Sequence, residues 1–135
     1  MRNEWRELTF LHWAYDPSQI QELLPDGLQV ETWADRAWVG LVPFRMHVLT
    51  RRGPYVPWIS HFPETNLRTY VRGPNGEVGV WFFSLEAGRL PAVVIGRLGY
   101  GVWYHWASMR LTQSGDDTTY RSRRLLSSHP GLLDV

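Results

Sequence analysis

Residues 66–72 read NLRTYVR, residues 73–77 read GPNGE, and residues 78–87 read VGVWFFSLEA. Two segments of period-2 character flank a Gly/Pro/Asn turn, which is the signal of a β-hairpin. On the first strand Asn66, Arg68, Tyr70 and Arg72 share one face, with Leu67, Thr69 and Val71 on the other. A face built from those four groups either meets water or lines a site. The second strand sets Phe82, Ser84 and Glu86 against Trp81, Phe83 and Leu85. Glu86 follows a strongly apolar run, so an arginine neighbour is expected to keep it ionised.

Working outward, the chain of 135 residues has the length of one domain. Its apolar fraction of 44% and charged fraction of 20% place it among folded rather than disordered chains. Eight Trp, six Tyr and five Phe can fill a core or line a ligand pocket. A net charge of +1 gives no reason to expect a nucleic-acid partner. There is no cysteine, which removes disulfides and thiolate chemistry. All basic residues are arginine, so no lysine amine exists to form a Schiff base. The opening residues MRNEWREL are too charged for a secretory leader, and no run approaches the roughly 20 apolar residues of a membrane span. A cytoplasmic location without membrane contact is the expectation.

Trp5 to Trp13 is apolar enough for a strand. His12 within it is either a structural histidine near a strand end or part of a site. Asp16 to Leu24 carries the clearest helix start, with Asp16 as cap, Pro17 first, Gln19 third, and Ile20, Leu23 and Leu24 as the buried stripe. Leu28 to Trp33 reads as a short strand, Ala34 to Arg36 as a tight connection, and Ala37 to Leu49 as a long strand. Pro43 cannot donate to a ladder and marks an edge, bulge or bend in it. Beyond it Arg45 and His47 share a face. Thr50 to Glu64 reads as a long loop with aromatic anchors, either a pocket wall or a pinned surface loop. Gly88 to Gly101 favours a short helix. Val102 to Thr112 and Thr118 to Leu126 read as strands around a turn at Ser114 to Asp117, with Tyr120, Ser122 and Arg124 alternating against Thr119, Arg121 and Arg123. The last residues are expected to pack loosely, which gives one domain over 1–126 and a tail over 127–135. The five histidines lack ligand spacing and no cofactor fingerprint is present, so neither metal nor cofactor is expected.

Five phrases agree in order and spacing with one family: FLHWAYDP at 10–17, LLPDGL at 23–28, AWVGLVPFRM at 37–46, FPETNLRTYV at 62–71 and GVWFFSLEA at 79–87. From about Trp5 to Arg124 the chain resembles the DUF2071, or YqjF-like, bacterial proteins, a family of uncharacterised activity. The resemblance implies an α+β fold akin to acetoacetate decarboxylase, a twisted, mostly antiparallel, barrel-like sheet with one or two short helices around a cavity. It implies no reaction, and the decarboxylase's lysine chemistry has no counterpart here. Family members are considerably longer, so the chain is expected to be truncated at its C-terminal side and the barrel incomplete. Open strand edges then need cover, and self-association into a homo-oligomer is one way to supply it.

The functional expectation is a domain that binds a small organic anion. Arg68 leads the candidates, because a guanidinium grips a carboxylate at two points. Glu86 would orient Arg68 or act as an acid or base. Asn66, Tyr70, Arg45 and Ser84 follow. Against this stands a structural reading in which Arg68 and Glu86 only pair across the hairpin. The alternatives are an enzyme acting on a small carboxylate or keto acid by acid/base steps, and a structural or interaction protein. Arg121, Arg123 and Arg124 with Tyr120 could form a basic strip, but the low net charge argues against nucleic acid.

Overall fold

Fourteen consecutive residues, Arg36–Leu49, form the strand β5 on which much of the sheet is assembled. The structure, a computed structural model, describes residues 2–49, 61–90, 93, 104–125 and 132–134. Strands β1 (Arg2–Arg6), β2 (Leu11–Tyr15) and β4 (Thr32–Trp33) all pair antiparallel with β5. The next neighbour of β5 is β6 (His61–Arg72), which also takes β3 (Gln29–Val30) antiparallel and is followed by β7 (Val78–Ala87). The pairing of β7 with β8 (Tyr104–Ser114) is parallel, with Glu86 opposite His105. β9 (Asp117–Arg124) closes a hairpin on β8, and β10 (Leu132–Asp134) adds to β9, both antiparallel. A short helix, α1 (Pro17–Gln21), is described in full.

The expected hairpin is present and begins earlier than its alternation suggests. β6 starts at His61 rather than after Glu64, so the irregular stretch is shorter than read at its C-terminal end. Residues 50–60 lie outside the described residues, as does most of the helix expected over Gly88 to Gly101, of which Leu90 and Val93 are helical. In the turn, Gly73 N–H donates to the Glu77 carbonyl at 2.8 Å and Gly76 adopts φ 86°, a value that favours glycine.

Four other expectations change. The first strand is two strands, because Glu7 adopts φ 52° and the chain leaves the ladder between Arg6 and Leu11. Pro43 does not sit at an edge. It is buried inside β5, its missing N–H lies beside that interruption, and its carbonyl accepts from Thr9 N–H at 3.1 Å. The helix begins as expected, with Asp16 accepting from Ser18 N–H at 2.9 Å and Pro17 at the first position, but it is only five residues long. A single turn presents one residue to a core. Ile20 is therefore buried while Leu23 is 62% exposed. The C-terminal stretch, expected to be loose, supplies β10, since the outer edge of β9 offers unpaired backbone groups.

Contacts divide the chain into two compact units. One comprises Met1–Thr9, Pro43–Thr65 and Ser84–Val135. Its core joins Phe62, Ala87 and Val93 to Met46, Tyr104 and Trp106. Tyr120 is buried there, donating to the Glu7 carbonyl, which leaves the Thr9 hydroxyl to donate to Tyr120 Oη at 3.0 Å. The other unit comprises Phe10–Val42 and Asn66–Phe83, with Ile20, Ala37 and Val39 packed against Val30, Leu67 and Phe83. In this second unit the Gln21 side chain clamps the helix to β3, giving to the Leu28 carbonyl and accepting from Val30 N–H, both at 2.9 Å.

β4 and β5 are joined by a two-residue turn, Ala34 and Asp35, at φ 51° and 59°. Positive φ at both positions matches the right-handed strand twist, but alanine has no side-chain hydrogen bond to offset the clash of its Cβ. Ala34→Gly is expected to stabilise the protein by about 0.5–1 kcal/mol, net of glycine's greater unfolded-state entropy, as an increase in urea midpoint at unchanged m-value.

Candidate functional site

The sequence-derived candidates fall in both units. Asn66, Arg68 and Tyr70 belong to the second, while Arg45, Ser84 and Glu86 belong to the first. In the first unit Glu86 is committed. Its Oε1 accepts from Arg124 Nε at 2.7 Å and its Oε2 from the Ser122 hydroxyl, while Arg124 Nη2 donates to the Ser84 hydroxyl. Arg124 thus takes the role expected of Arg68, and it joins Ser84 to Glu86. The alternation read on β9 turns Tyr120, Ser122 and Arg124 inward and leaves Arg121 and Arg123 exposed, so a continuous basic strip is not formed by these residues. Arg45 is likewise engaged, its Nε 2.8 Å from Glu7 Oε2.

Also in the first unit, the rings of His47 and His61 lie 3.9 Å apart. His47 Nε2 is buried without a hydrogen-bond partner. Desolvation lowers the His47 pKa from its ordinary 6.5, and His61, Arg6 and Arg45 push the same way against a weaker opposing pull from Glu4. Nearby in sequence, buried Glu64 accepts from the Tyr104 hydroxyl at 3.0 Å. Burial, then the Glu64 charge and hydrogen bond, raise the Tyr104 pKa and keep it a phenol.

In the second unit two buried polar atoms without partners belong to one strand face. The Asn66–Arg68–Tyr70 face of β6 meets Phe10 and His12. The Arg68 guanidinium lies 5.5 Å from the Phe10 ring centre and 6.0 Å from that of Tyr70. Its Nε is buried and has no hydrogen-bond partner among the described residues, and neither has Asn66 Oδ1. Asn66 is buried. Tyr70 Oη is 2.9 Å from His12 Nε2, and the His12 ring stacks near parallel to both Phe10 and Tyr70.

His12 reaches Tyr70 because of a glycine. β2 and β6 both neighbour β5, so the His12 side chain passes over β5, and it does so at its register partner Gly40. A Cβ at position 40 would stand 2.8 Å from His12 Nε2, closer than real Cβ contacts come.

His12 and Tyr70 also line a cavity of about 360 Å³, with Glu31, Trp33, Trp38 and Val78 among its other walls. Trp33 and Trp38 stand 5.9 Å apart with planes at 56°, and Trp38 Nε1 donates to the Trp33 carbonyl at 3.1 Å. Glu31 is gripped at both oxygens by Arg72, at 2.9 Å and 2.8 Å. Residues of β2, α1, β5, β6 and β7 line a second, open apolar hollow of about 550 Å³ that includes Trp13, Leu23 and Phe83. Among the described residues, no group of three or more His, Asp or Glu could hold a metal ion, and no helix is long and apolar enough to cross a membrane.

Apart from Tyr70 and His12, the cavity walls escaped the sequence reading. The turn at Ala34 and Asp35 sets Trp33 opposite Arg36, which makes Trp38 its diagonal neighbour. That relation needs a two-residue turn, whereas a connection over Ala34 to Arg36 would set Trp33 opposite Ala37. The Glu31–Arg72 pair depends in turn on how β3 meets β6.

Residues 2–132 match the DUF2071 family, described as an uncharacterized conserved protein, and the chain belongs to it. It is 38% identical over 125 residues to the uncharacterized protein YqjF of Bacillus subtilis, covering 92% of this chain and 51% of that protein. Among solved structures it is similar to acetoacetate decarboxylase of Legionella pneumophila, with a TM-score of 0.62 at 22% identity over 95% of this chain and 46% of the decarboxylase. The fold is therefore of the acetoacetate decarboxylase type, α+β and mostly antiparallel, as the resemblance implied. The chain spans about half the length of both relatives.

Two outcomes follow from the site geometry. Gly40→Ala is expected to break the His12–Tyr70 hydrogen bond and destabilise the fold by roughly 1–3 kcal/mol, seen as loss of the coupled ring signals by NMR and a lower denaturation midpoint. For His47 the folded pKa lies below the unfolded one, so the unfolded chain binds more protons over that interval. Its contribution is expected to be complete above pH 6.5 and to decline as pH falls below it. His47→Gln should flatten that part of the stability–pH curve measured by denaturant titration.

Proposed function

We propose that the second unit binds a small organic anion, with Arg68 gripping its carboxylate and Asn66 and Tyr70 on the same strand face beside it. The observation that carries this is the buried, unpartnered Nε of Arg68 on a guanidinium that already lies over the Phe10 and Tyr70 rings. A buried donor without an acceptor costs about 1–3 kcal/mol, and a ligand oxygen would recover it. The other arginines with assigned ion pairs, Arg6, Arg45, Arg72 and Arg124, each hold a glutamate. Arg68 has no such carboxylate among the described residues. Contact with two ring faces holds the guanidinium in place in advance and lowers the ordering cost of binding. The acid/base enzyme reading takes second place, because Glu86, its proposed acid or base, has both oxygens engaged by Arg124 and Ser122. With no lysine in the chain, a keto acid would be held by charge and hydrogen bonds rather than as an imine.

The test is a calorimetric and thermal-shift screen of short carboxylates on the wild type and on Arg68→Met, which keeps the apolar stem over the rings. The expected result is a shift for some carboxylate in the wild type and at least a tenfold weaker response in the variant, in line with about 1.5–3 kcal/mol for a hydrogen bond to a charged group. Equal responses in the two proteins would overturn the reading.

A further inference from the structure

The cavity lined by Tyr70, whose ring the Arg68 guanidinium also approaches, has walls that an ordinary carboxylate does not use. Trp33 and Trp38 form an open V, and Tyr70 and His12 add further rings. Aromatic faces carry negative quadrupole charge and attract a cation, most strongly one with little hydration of its own. Glu31 forms another wall, and its grip on Arg72 leaves that wall near neutral rather than cationic. Trp33 is 73% exposed, so its ring is open to a ligand from solvent.

We infer that the ligand of this site is a zwitterion, with a quaternary ammonium group in the cavity of Trp33, Trp38 and Tyr70 and its carboxylate on Arg68. This deepens the anion reading and rests on it. The two ends need each other. A simple onium would be repelled by Arg68, whose guanidinium lies 6.0 Å from the Tyr70 ring centre, and a simple carboxylate would leave the ring faces with nothing charged to hold. A ligand with about three methylenes between its charges covers that 6.0 Å from guanidinium to ring centre better than one with a single methylene.

The experiment is isothermal titration at low salt with three probes: 4-(trimethylammonio)butanoate; 5,5-dimethylhexanoate, which replaces the charged nitrogen with carbon at the same shape; and tetramethylammonium chloride. The hydrophobic effect favours the carbon isostere, so a preference for the cation is a demanding result. The zwitterion is expected to bind at least fivefold tighter than its isostere, within the range of a cation–π contact. Trp33→Leu, at an exposed position, should remove that preference while the isostere still binds. Arg68→Met should weaken both carboxylates. If the isostere matches or exceeds the zwitterion and still depends on Arg68, the onium inference fails and the anion reading stands. If Arg68→Met changes neither carboxylate, or tetramethylammonium binds as tightly as the zwitterion, both fail.

Discussion

A strand of fourteen residues with partners along its length leaves little room for a side chain to cross it, and the candidate site depends on one that does. Backbone N–H and C=O groups of β5 must be satisfied by its neighbours, which holds β2 and β6 at ladder distance on either side. A bond between His12 and Tyr70 therefore has to span β5, and the span exists because position 40 carries no Cβ. The same economy appears at Pro43, which lacks an N–H where the adjoining strand is interrupted. Local chemistry and sheet pairing agree at both places, which is what specifies one register over its slipped alternatives.

Two arginines show how similar residues come to opposite ends. Arg124 finds a buried carboxylate, and the Glu86–Ser122–Ser84 cluster uses its donors internally. Such a cluster holds a structure together, and removing one member strands the rest. Arg68 finds only rings. Ring faces orient a guanidinium without exhausting its hydrogen bonds, so its unused Nε is left for something outside the chain. Burial alone does not separate the two cases, but the presence or absence of an oxygen partner does.

The sequence was informative wherever a pattern is local. The hairpin, the long strand through Pro43, the Asp16–Pro17 helix start and the Ser114–Asp117 turn are set by residues near one another, and the structure contains each. The alternation on β9 even sorted Tyr120, Ser122 and Arg124 from their exposed neighbours. What it could not provide is which strands meet. Glu86 lies opposite β8 in a parallel pairing and is answered from β9, and no hairpin logic leads there. Arg68 and Tyr70 were readable as one face of β6, while Phe10 and His12 join them only through the pairing of β2 with β5. The length of α1 was misjudged because apolar spacing continued through Leu24, whereas the helix ends at Gln21.

Tyr120 ties the start of the first unit to a strand made more than a hundred residues later, through the Glu7 carbonyl and Thr9. Synthesis runs in one direction, so these two ends cannot meet while the intervening chain is still unmade. A nascent chain that has reached Phe83 already holds every residue of the second unit, whereas the first then has its opening strand and the far half of β5 but neither β8 nor β9. Closing so long a loop is slow, and until it closes the N-terminal strand has only β5 to hold it. The order of assembly on the ribosome is thus written into a single phenol.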